Sequence, residues 1–231
     1  MKKKVAIAIF VKTPKFSSCK SRLAKTIGTS AAVKFHLFSS NIVGETVSSV
    51  TQAQGFWSIA ELEAMDGEYW GGGLKKIHQG KGSLGERLDR VYQTLSQDFE
   101  KVIFLGADCP QVEKSQIDHA LKKLEKADFV FGPSEDGGFY LFGGAAPISR
   151  EIWNETRYSE SDTLAQISRS LKSIGSVEII ESLFDVDHFD EFKKLGTALG
   201  SFQNLTPKKK ELLNFIDHLV EEQEAPPSTQ N

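Results

Sequence analysis

The stretch Val102-Ile103-Phe104-Leu105-Gly106-Ala107-Asp108-Cys109-Pro110 decides the fold class of this chain. Its four leading apolar residues are too few for a helix and are typical of a strand that is buried on both faces. Pro110 disfavours a helical backbone at Cys109, so the chain turns there. Asp108 is therefore predicted to lie at the carboxyl end of a central strand, where open α/β sheets bind their ligands.

Length and composition fit one α/β domain. The chain has 231 residues, of which 39% are apolar and 26% charged, which is enough for a core and argues against global disorder. A formal net charge of −3 gives no sign of a nucleic-acid surface, and no apolar run has the length of a membrane span. The only cysteines, Cys19 and Cys109, are too few for a disulfide framework, so we expect a cytoplasmic protein.

The apolar pattern predicts alternating strands and helices on both sides of the central strand. Strands are expected at residues 5–11, 54–60, 74–79, 128–131, 139–142 and 176–180. Helices are expected at 29–50, with Thr29 or Ser30 as the cap, at 84–97, at 116–126 after a Ser115 cap, at 163–174 and at 208–221. Residues 153–162 are expected to be irregular. Residues 1–221 would form a single domain and residues 222–231 a disordered tail.

A cluster of cations follows the first predicted strand. Lys12, Lys15, Lys20 and Arg22 lie within eleven residues, beside three serines. Such a cluster suits the binding of phosphate oxygens, although an isolated cluster could equally be a solvated basic loop.

Acidic residues follow two later strands. Glu135 and Asp136 precede the adjacent glycines Gly137 and Gly138, which would either let a ligand approach the backbone or form a plain hairpin turn. The alternate acids of the segment 185–187 would place both carboxylates on one side of an extended chain, as a divalent cation needs. Their other interpretation is the acidic start of a helix.

These clusters should share one sheet edge, because each follows a strand. Cations and separated acids together fit a phosphate-bearing substrate and a bridging Mg²⁺ or Mn²⁺. A Walker A sequence is missing, and the five histidines have no zinc-ligand spacing. Residues 80–85 match the dinucleotide pattern G-x-G-x-x-G, but the strand before them is too polar, so a turn near a nucleotide base is the better interpretation.

At these residues the chain resembles a known family. The matching segments run in order through Phe10–Pro14, Lys20–Leu23, Ser83–Arg87, Gly106–Pro110, Gly132–Tyr140, Trp153–Thr156 and Asp185–Asp187. They resemble the nucleotide-diphospho-sugar transferase superfamily, most closely its bacterial glycosyltransferase-A-like branch. Phospholactate guanylyltransferase and the molybdenum-cofactor guanylyltransferase are more distant relatives. The resemblance implies a three-layer α/β/α glycosyltransferase-A fold with a mostly parallel central sheet.

The resemblance also implies roles for individual residues. Three cations would hold the nucleotide phosphates, namely Lys12, Lys20 and Arg22. A second group, within Gly82–Arg87, would lie near the base: Ser83, Leu84, Gly85 and Arg87. Asp108 and Asp187 would bind Mg²⁺ or Mn²⁺, and the acceptor side would comprise Asp136, Gly137 and Gly138. The chain departs from the branch at Ser17, which replaces a glycine, at His188, which replaces a threonine, and at Val112, which replaces a leucine.

Two enzyme hypotheses follow, each with a nucleotide or nucleotide sugar and a small-molecule acceptor as partners. In the first, a phosphorylated or hydroxylated acceptor attacks the α-phosphorus of a nucleoside triphosphate, and Lys12, Arg22 and Asp108 take part in catalysis. In the second, a nucleotide sugar donates its sugar. A third hypothesis is a nucleotide-binding module without catalysis, against which the intact Asp108 and Asp187 argue. The sequence leaves the oligomeric state open.

Overall fold

The computed structural model describes residues 3–224, which form one seven-stranded sheet with helices on both faces. The strands are β1 (Lys3–Val11), β2 (Ala53–Ile59), β3 (Lys75–His78), β4 (Phe99–Gly106), β5 (Phe129–Pro133), β6 (Phe139–Gly144) and β7 (Val177–Ile179). Their order in the sheet is β3-β2-β1-β4-β6-β5-β7. Only β6 runs antiparallel to its neighbours, so the predicted mostly parallel sheet is confirmed.

The helices are α1 (Ala24–Ile27), α2 (Thr29–Ser48), α3 (Leu84–Asp98), α4 (Lys114–Lys123), α5 (Arg150–Glu155), α6 (Thr163–Lys172), α7 (Phe189–Gly200) and α8 (Pro207–Glu224). Alternate residues of β1 divide between two cores, as the strand period requires. Ile7 and Ile9 pack with α2 and α4, whereas Ala6 and Ala8 pack with α3, α5 and α6. A third cluster joins α1, α2, α7 and α8. The three-layer α/β/α architecture is therefore confirmed.

Strand direction brings the predicted clusters to one edge. β1 pairs in parallel with β4 in the register Phe10↔Gly106, and β5 pairs in parallel with β7. The carboxyl ends of these four strands consequently lie at the same edge of the sheet. The turn before the antiparallel strand β6 returns to that edge as well, so residues 134–138 join the other clusters.

Several predicted element boundaries were wrong. Gly28, with φ of 83°, precedes α2, so neither Thr29 nor Ser30 caps it. α4 begins at Lys114, and the Glu113 N–H donates to Gln116 Oε1, which removes the capping role from Ser115.

Two further differences concern helix extents. The first three residues of the predicted irregular segment 153–162 belong to α5, whose Trp153 is fully buried. α8 runs on to Glu224, so the predicted tail loses its first three residues, and residues 225–231 lie outside the described part of the chain. Among residues 3–224 no helix is both long enough and apolar enough to cross a membrane.

Candidate functional site

Lys20 lies at the centre of the candidate site. Its Nζ is 2.8 Å from Asp108 Oδ1 and 3.0 Å from Asp187 Oδ1. The Lys20 side chain is only 3% exposed, whereas those of Asp108 and Asp187 are 42% and 47% exposed. Arg22 extends the group, with Nη1 3.4 Å from Asp187 Oδ2. The structure thus brings together four predicted site residues from three separate parts of the chain.

The backbone of Lys20 is in an unusual conformation. Its φ of 52° lies in the left-handed region, which residues with side chains rarely adopt. Strain of this kind costs on the order of 1–3 kcal/mol and persists where surrounding contacts over-determine it. The two carboxylates are such contacts, because they fix the ammonium group between them.

The charges of this cluster stabilise one another. Burial alone would lower the pKa of Lys20, but the charges of Asp108 and Asp187 outweigh it and raise that pKa. Burial would likewise raise the pKa of Asp108, but the nearby Lys20 ammonium outweighs it and lowers that pKa. Asp108 is therefore ionised and Lys20 protonated at neutral pH.

The loop after β1 is held by Glu61, which follows β2, and by Trp70 of the aromatic loop 64–73. The Thr13 N–H donates to Glu61 Oε2 at 2.9 Å, and the Ser17 hydroxyl donates to Glu61 Oε1. Trp70, which is 1% exposed, donates from Nε1 to Thr13 Oγ1 at 2.9 Å. Ser17, which stands where the resemblance implies a glycine, thus fixes the loop through Glu61. Sequence reasoning missed Glu61, although an acid directly after a predicted strand was a signal.

His36 of α2 holds the same loop through the backbone of Lys12. This buried residue of α2 lies with Nε2 2.8 Å from the Lys12 carbonyl oxygen, and because a carbonyl only accepts, Nε2 carries the donated proton. Burial lowers the pKa of His36, so the neutral ring is favoured. The backbone of Lys12 is thereby fixed, while its side chain is exposed at the sheet edge.

The residues predicted to lie near a base form the start of α3. The Ser83 N–H donates to Glu86 Oε2 at 2.8 Å, and Ser83 Oγ accepts from the Glu86 N–H at 3.3 Å, which is a capping box. Arg87 Nε donates to the Gly82 carbonyl at 3.0 Å, and Leu84 is 45% exposed. These contacts give the segment a structural role at the same sheet edge.

Gly137 serves the turn before β6. Its φ is 89°, and a Cβ there would lie 1.9 Å from the Ser161 carbonyl oxygen. The Gly138 N–H donates to Asp136 Oδ1 at 2.9 Å, and the Ser134 N–H donates to the Gly138 carbonyl at 3.0 Å. The interpretation of these glycines as a hairpin turn is thus confirmed. The turn leaves Asp136 exposed at the sheet edge.

Asp185 has a partner that the sequence did not predict. Cys109 Sγ lies 2.7 Å from Asp185 Oδ1, and Val186 is buried between the two acids of the segment. Burial raises the pKa of Asp185, and the charge of Asp108 adds to this. Burial and the adjacent Asp185 raise the pKa of Cys109 well above its ordinary value, so Cys109 is a thiol and not a nucleophilic thiolate.

The chemistry of this cluster fits a divalent cation that is shared with a substrate. Residues 3–224 contain no group of three or more His, Cys, Asp or Glu side chains arranged to hold a metal. Asp108 and Asp187 do converge on one cationic group at 3.0 Å or less. Mg²⁺ typically takes one or two carboxylates and completes its shell with water and substrate phosphates. Two converging carboxylates are therefore a suitable protein contribution.

Comparisons with known proteins agree with this architecture. Residues 47–160 match the model of a family described as an uncharacterized protein conserved in bacteria. A crystal structure from Desulfovibrio desulfuricans G20, described provisionally as a nucleotide-diphospho-sugar transferase, has a TM-score of 0.84 at 22% identity and covers 98% of this chain and 100% of its own. No curated protein matches the sequence.

The names of two further solved structures refer to a cytidyl or cytidylyl group. A 4-diphosphocytidyl-2C-methyl-D-erythritol synthase from Anaerococcus prevotii DSM 20548 has a TM-score of 0.55 at 11% identity and covers 95% of this chain and 99% of its own. A cytidylyltransferase from Leptospira borgpetersenii serovar Hardjo-bovis has a TM-score of 0.54 at 13% identity and covers 96% and 98%. The chain has the fold of the nucleotide-diphospho-sugar transferases, so the resemblance in sequence is confirmed at the level of the fold.

Proposed function

We propose that this protein is a metal-dependent nucleotidyltransferase, which transfers a nucleotidyl group from a nucleoside triphosphate to a small acceptor and releases pyrophosphate. The observation that carries the proposal is the Lys20 ammonium, held between Asp108 and Asp187 beside the basic loop after β1. Cations for phosphate oxygens and carboxylates for a divalent ion meet at one point. The cytidylyl group in the names of two proteins with this fold supports the same reaction class.

The residues divide the work by charge. Lys12 and Arg22 bind the phosphate oxygens, orient them and stabilise the negative charge that gathers during transfer. Asp108 and Asp187 would hold Mg²⁺ or Mn²⁺, which would neutralise phosphate charge. Since Lys20 now contacts both carboxylates, it exchanges these contacts for phosphate oxygens when substrate and ion arrive.

The reaction is an in-line displacement. An acceptor hydroxyl oxygen forms a bond to the α-phosphorus, the bond from that phosphorus to the bridging oxygen breaks, pyrophosphate leaves, and the hydroxyl proton passes to solvent. Residues Gly82–Arg87 lie near the base, and the turn with Asp136 faces the acceptor. In this proposal the protein positions the nucleotide and the acceptor and neutralises the charge of the phosphates.

Glycosyl transfer from a nucleotide sugar is the second candidate. The provisional description of the Desulfovibrio desulfuricans protein favours it. The same cations and carboxylates would then stabilise a departing nucleoside diphosphate. The two candidates differ in the donor that binds, which makes donor binding the deciding measurement.

A thermal-shift screen with Mg²⁺ or Mn²⁺ tests both. A ligand that binds only the folded state raises the melting temperature with the logarithm of its saturation. We expect a nucleoside triphosphate to raise the melting temperature in a metal-dependent manner and, with a suitable acceptor, to yield pyrophosphate. A response to nucleotide sugars alone would replace nucleotidyl by glycosyl transfer, and no response to either would refute the enzyme proposal.

A further inference from the structure

A cleft of about 240 Å³ opens at the sheet edge beside the Lys20 cluster. Its walls are mostly apolar and aromatic and include Phe10, Phe104, Phe139 and Tyr158. The volume is just below the range of about 300–1,000 Å³ that is usual for ligand pockets, so the cleft suits a small molecule.

The charged groups of the cleft all have one sign. Asp136, Glu160 and Asp185 line it, and among the described residues the lining includes no Lys, Arg or His. A phosphate or carboxylate in this cleft would be repelled by the exposed carboxylates of Asp136 and Glu160 and would meet no cation among the lining residues. The occupant therefore carries no anionic group.

Hydrogen bonding narrows the occupant further. Ionised carboxylates only accept hydrogen bonds, so a ligand that satisfies Asp136 and Glu160 must supply donors such as hydroxyl groups. The aromatic walls, in contrast, are stabilised by contact with C–H surface that leaves water. A ring compound with hydroxyl groups at its edge and C–H groups on its faces meets both conditions.

The position of the cleft connects it to the proposed chemistry. Gly106, at the end of β4, lines the cleft two residues before Asp108, and Asp185 lines it two residues before Asp187. An occupant consequently lies next to the two carboxylates, and Phe10, which also lines the cleft, lies two residues before Lys12. The site thus has a basic part, the loop after β1, and an acidic, aromatic part, the cleft, which borders the segment assigned to the base at Leu84.

We propose that the cleft binds the acceptor and that this acceptor is a small, neutral, polyhydroxylated ring compound without a phosphate or carboxylate group. The acceptor role rests on the proposed function, whereas the binding preference of the cleft can be measured independently of it. The inference narrows the acceptor classes that the sequence left open, because it removes phosphorylated compounds.

Saturation-transfer NMR titrations of the full chain with matched probes test this preference. The probes are myo-inositol and myo-inositol 1-phosphate, and glucose, glucose 6-phosphate and glucosamine, each with and without Mg²⁺ and nucleoside triphosphate. We expect the neutral members to bind more tightly than their phosphorylated partners by about tenfold or more. Equal or tighter binding of the phosphorylated members, binding of glucosamine alone, or binding of none would overturn the inference.

Variants of the lining acids localise the binding. Glu160→Gln and Asp136→Asn keep side-chain size, and each should weaken neutral-probe binding by about fivefold. Glu160→Lys should bring the phosphorylated probes to an affinity at or above that of the neutral ones. Glu155→Gln, an exposed change on α5 outside the cleft, is the matched control and should bind as the wild type does. Unchanged binding in all three lining variants would contradict the assigned site.

Failure of this inference is distinguishable from failure of the proposed function. Neutral-probe binding without any nucleotide response would leave the cleft assignment intact and refute nucleotidyl transfer. A metal-dependent nucleotide response without neutral-probe binding would keep nucleotidyl transfer and refute the cleft assignment. Lys12→Ala should reduce nucleotide binding only, because Lys12 does not line the cleft.

Discussion

At the scale of single residues, the Lys20 ammonium does for the free protein what a bound cation would do. It neutralises Asp108 and Asp187, which would otherwise repel each other at the sheet edge. Because Lys20 is almost fully buried, leaving it without a carboxylate partner would be costly. Lys20 therefore holds the two carboxylates in position before any ligand binds.

Replacing Asp108 tests the metal assignment. Asp108→Asn keeps the shape of the side chain and leaves Lys20 with Asp187, so we expect near-normal folding but metal-dependent nucleotide affinity reduced by about tenfold or more. Isothermal titration calorimetry with Mg²⁺ and a nucleoside triphosphate measures this. Asp118→Asn, at an exposed surface pair with Lys114, is the control and should bind normally. Wild-type affinity in Asp108→Asn would remove Asp108 from the metal site.

Replacing Lys20 tests its place between the carboxylates. Lys20→Met removes the charge but retains the apolar stem, so Mn²⁺ should bind more tightly in the absence of nucleotide, while nucleotide affinity should fall. Electron paramagnetic resonance of free Mn²⁺ gives the first quantity and calorimetry the second. Lys114→Met, on an exposed pair, should change neither. Weaker Mn²⁺ binding in Lys20→Met would show that the ammonium does not compete with the ion.

His36 predicts a pH dependence of stability. Burial lowers its pKa below the ordinary 6.5, so the unfolded chain takes up the proton first as the pH falls. The contribution of neutral His36 to the free energy of unfolding is complete above pH 6.5. It is lost as the pH drops, by up to about 1.4 kcal/mol per pH unit. Urea unfolding between pH 8 and pH 5 measures the slope. His36→Gln should flatten it, and an unchanged slope would exclude His36 as a source.

At the scale of elements, Gly85 fixes the packing of α3 on α5. A Cβ at this position would lie 2.3 Å from the Trp153 carbonyl oxygen, which belongs to backbone and cannot move aside cheaply. Gly85→Ala should therefore destabilise the fold by about 1–3 kcal/mol, seen as a lower melting temperature. Gly71→Ala, where no atom lies within 4 Å of the added methyl group, is the control and should be nearly neutral. Equal melting temperatures for both variants would contradict the packing argument.

The elements were predictable where their signals are local. Strands β1 and β4 are β-branched and apolar, and α3 has a Ser83–Glu86 capping box, so both kinds of element follow from their own residues. α5 was missed because it has only six residues and most of them are polar, and burial of Trp153 against α3 stabilises it. The cap of α2 was misassigned because the capping residue is Gly28, whose positive φ no local pattern revealed.

At the scale of the whole molecule, the shared sheet edge was predictable and the pairings within it were not. The parallel direction of the strands places acids and cations at one edge, and this follows from the alternation of strands and helices. That Lys20 bridges Asp108 and Asp187, or that Cys109 donates to Asp185, depends on tertiary packing between distant segments. Spacing along the sequence carries no signal for such contacts.

The ion pairs of Asp187 predict that this residue restrains the motion of the loop 12–22. Asp187 pairs with both Lys20 and Arg22, so Asp187→Ala should speed amide hydrogen exchange in the loop 12–22 while the exchange of β1 and β4 stays unchanged. Hydrogen exchange read by mass spectrometry measures this. The matched change Asp190→Ala, at an exposed acid of α7, should leave the loop as it is. Equal protection of the loop in both variants would show that the pairing does not restrain it.

The span of that link also bears on synthesis. Lys20 and Asp187 are separated by 167 positions, and a ribosome adds about 5–20 residues per second. The ammonium group therefore waits for its second carboxylate for roughly 10–30 s after it has been made. Nascent chains released within that interval lack Asp187. A premature stop anywhere before residue 187 therefore yields a protein that cannot form the complete site.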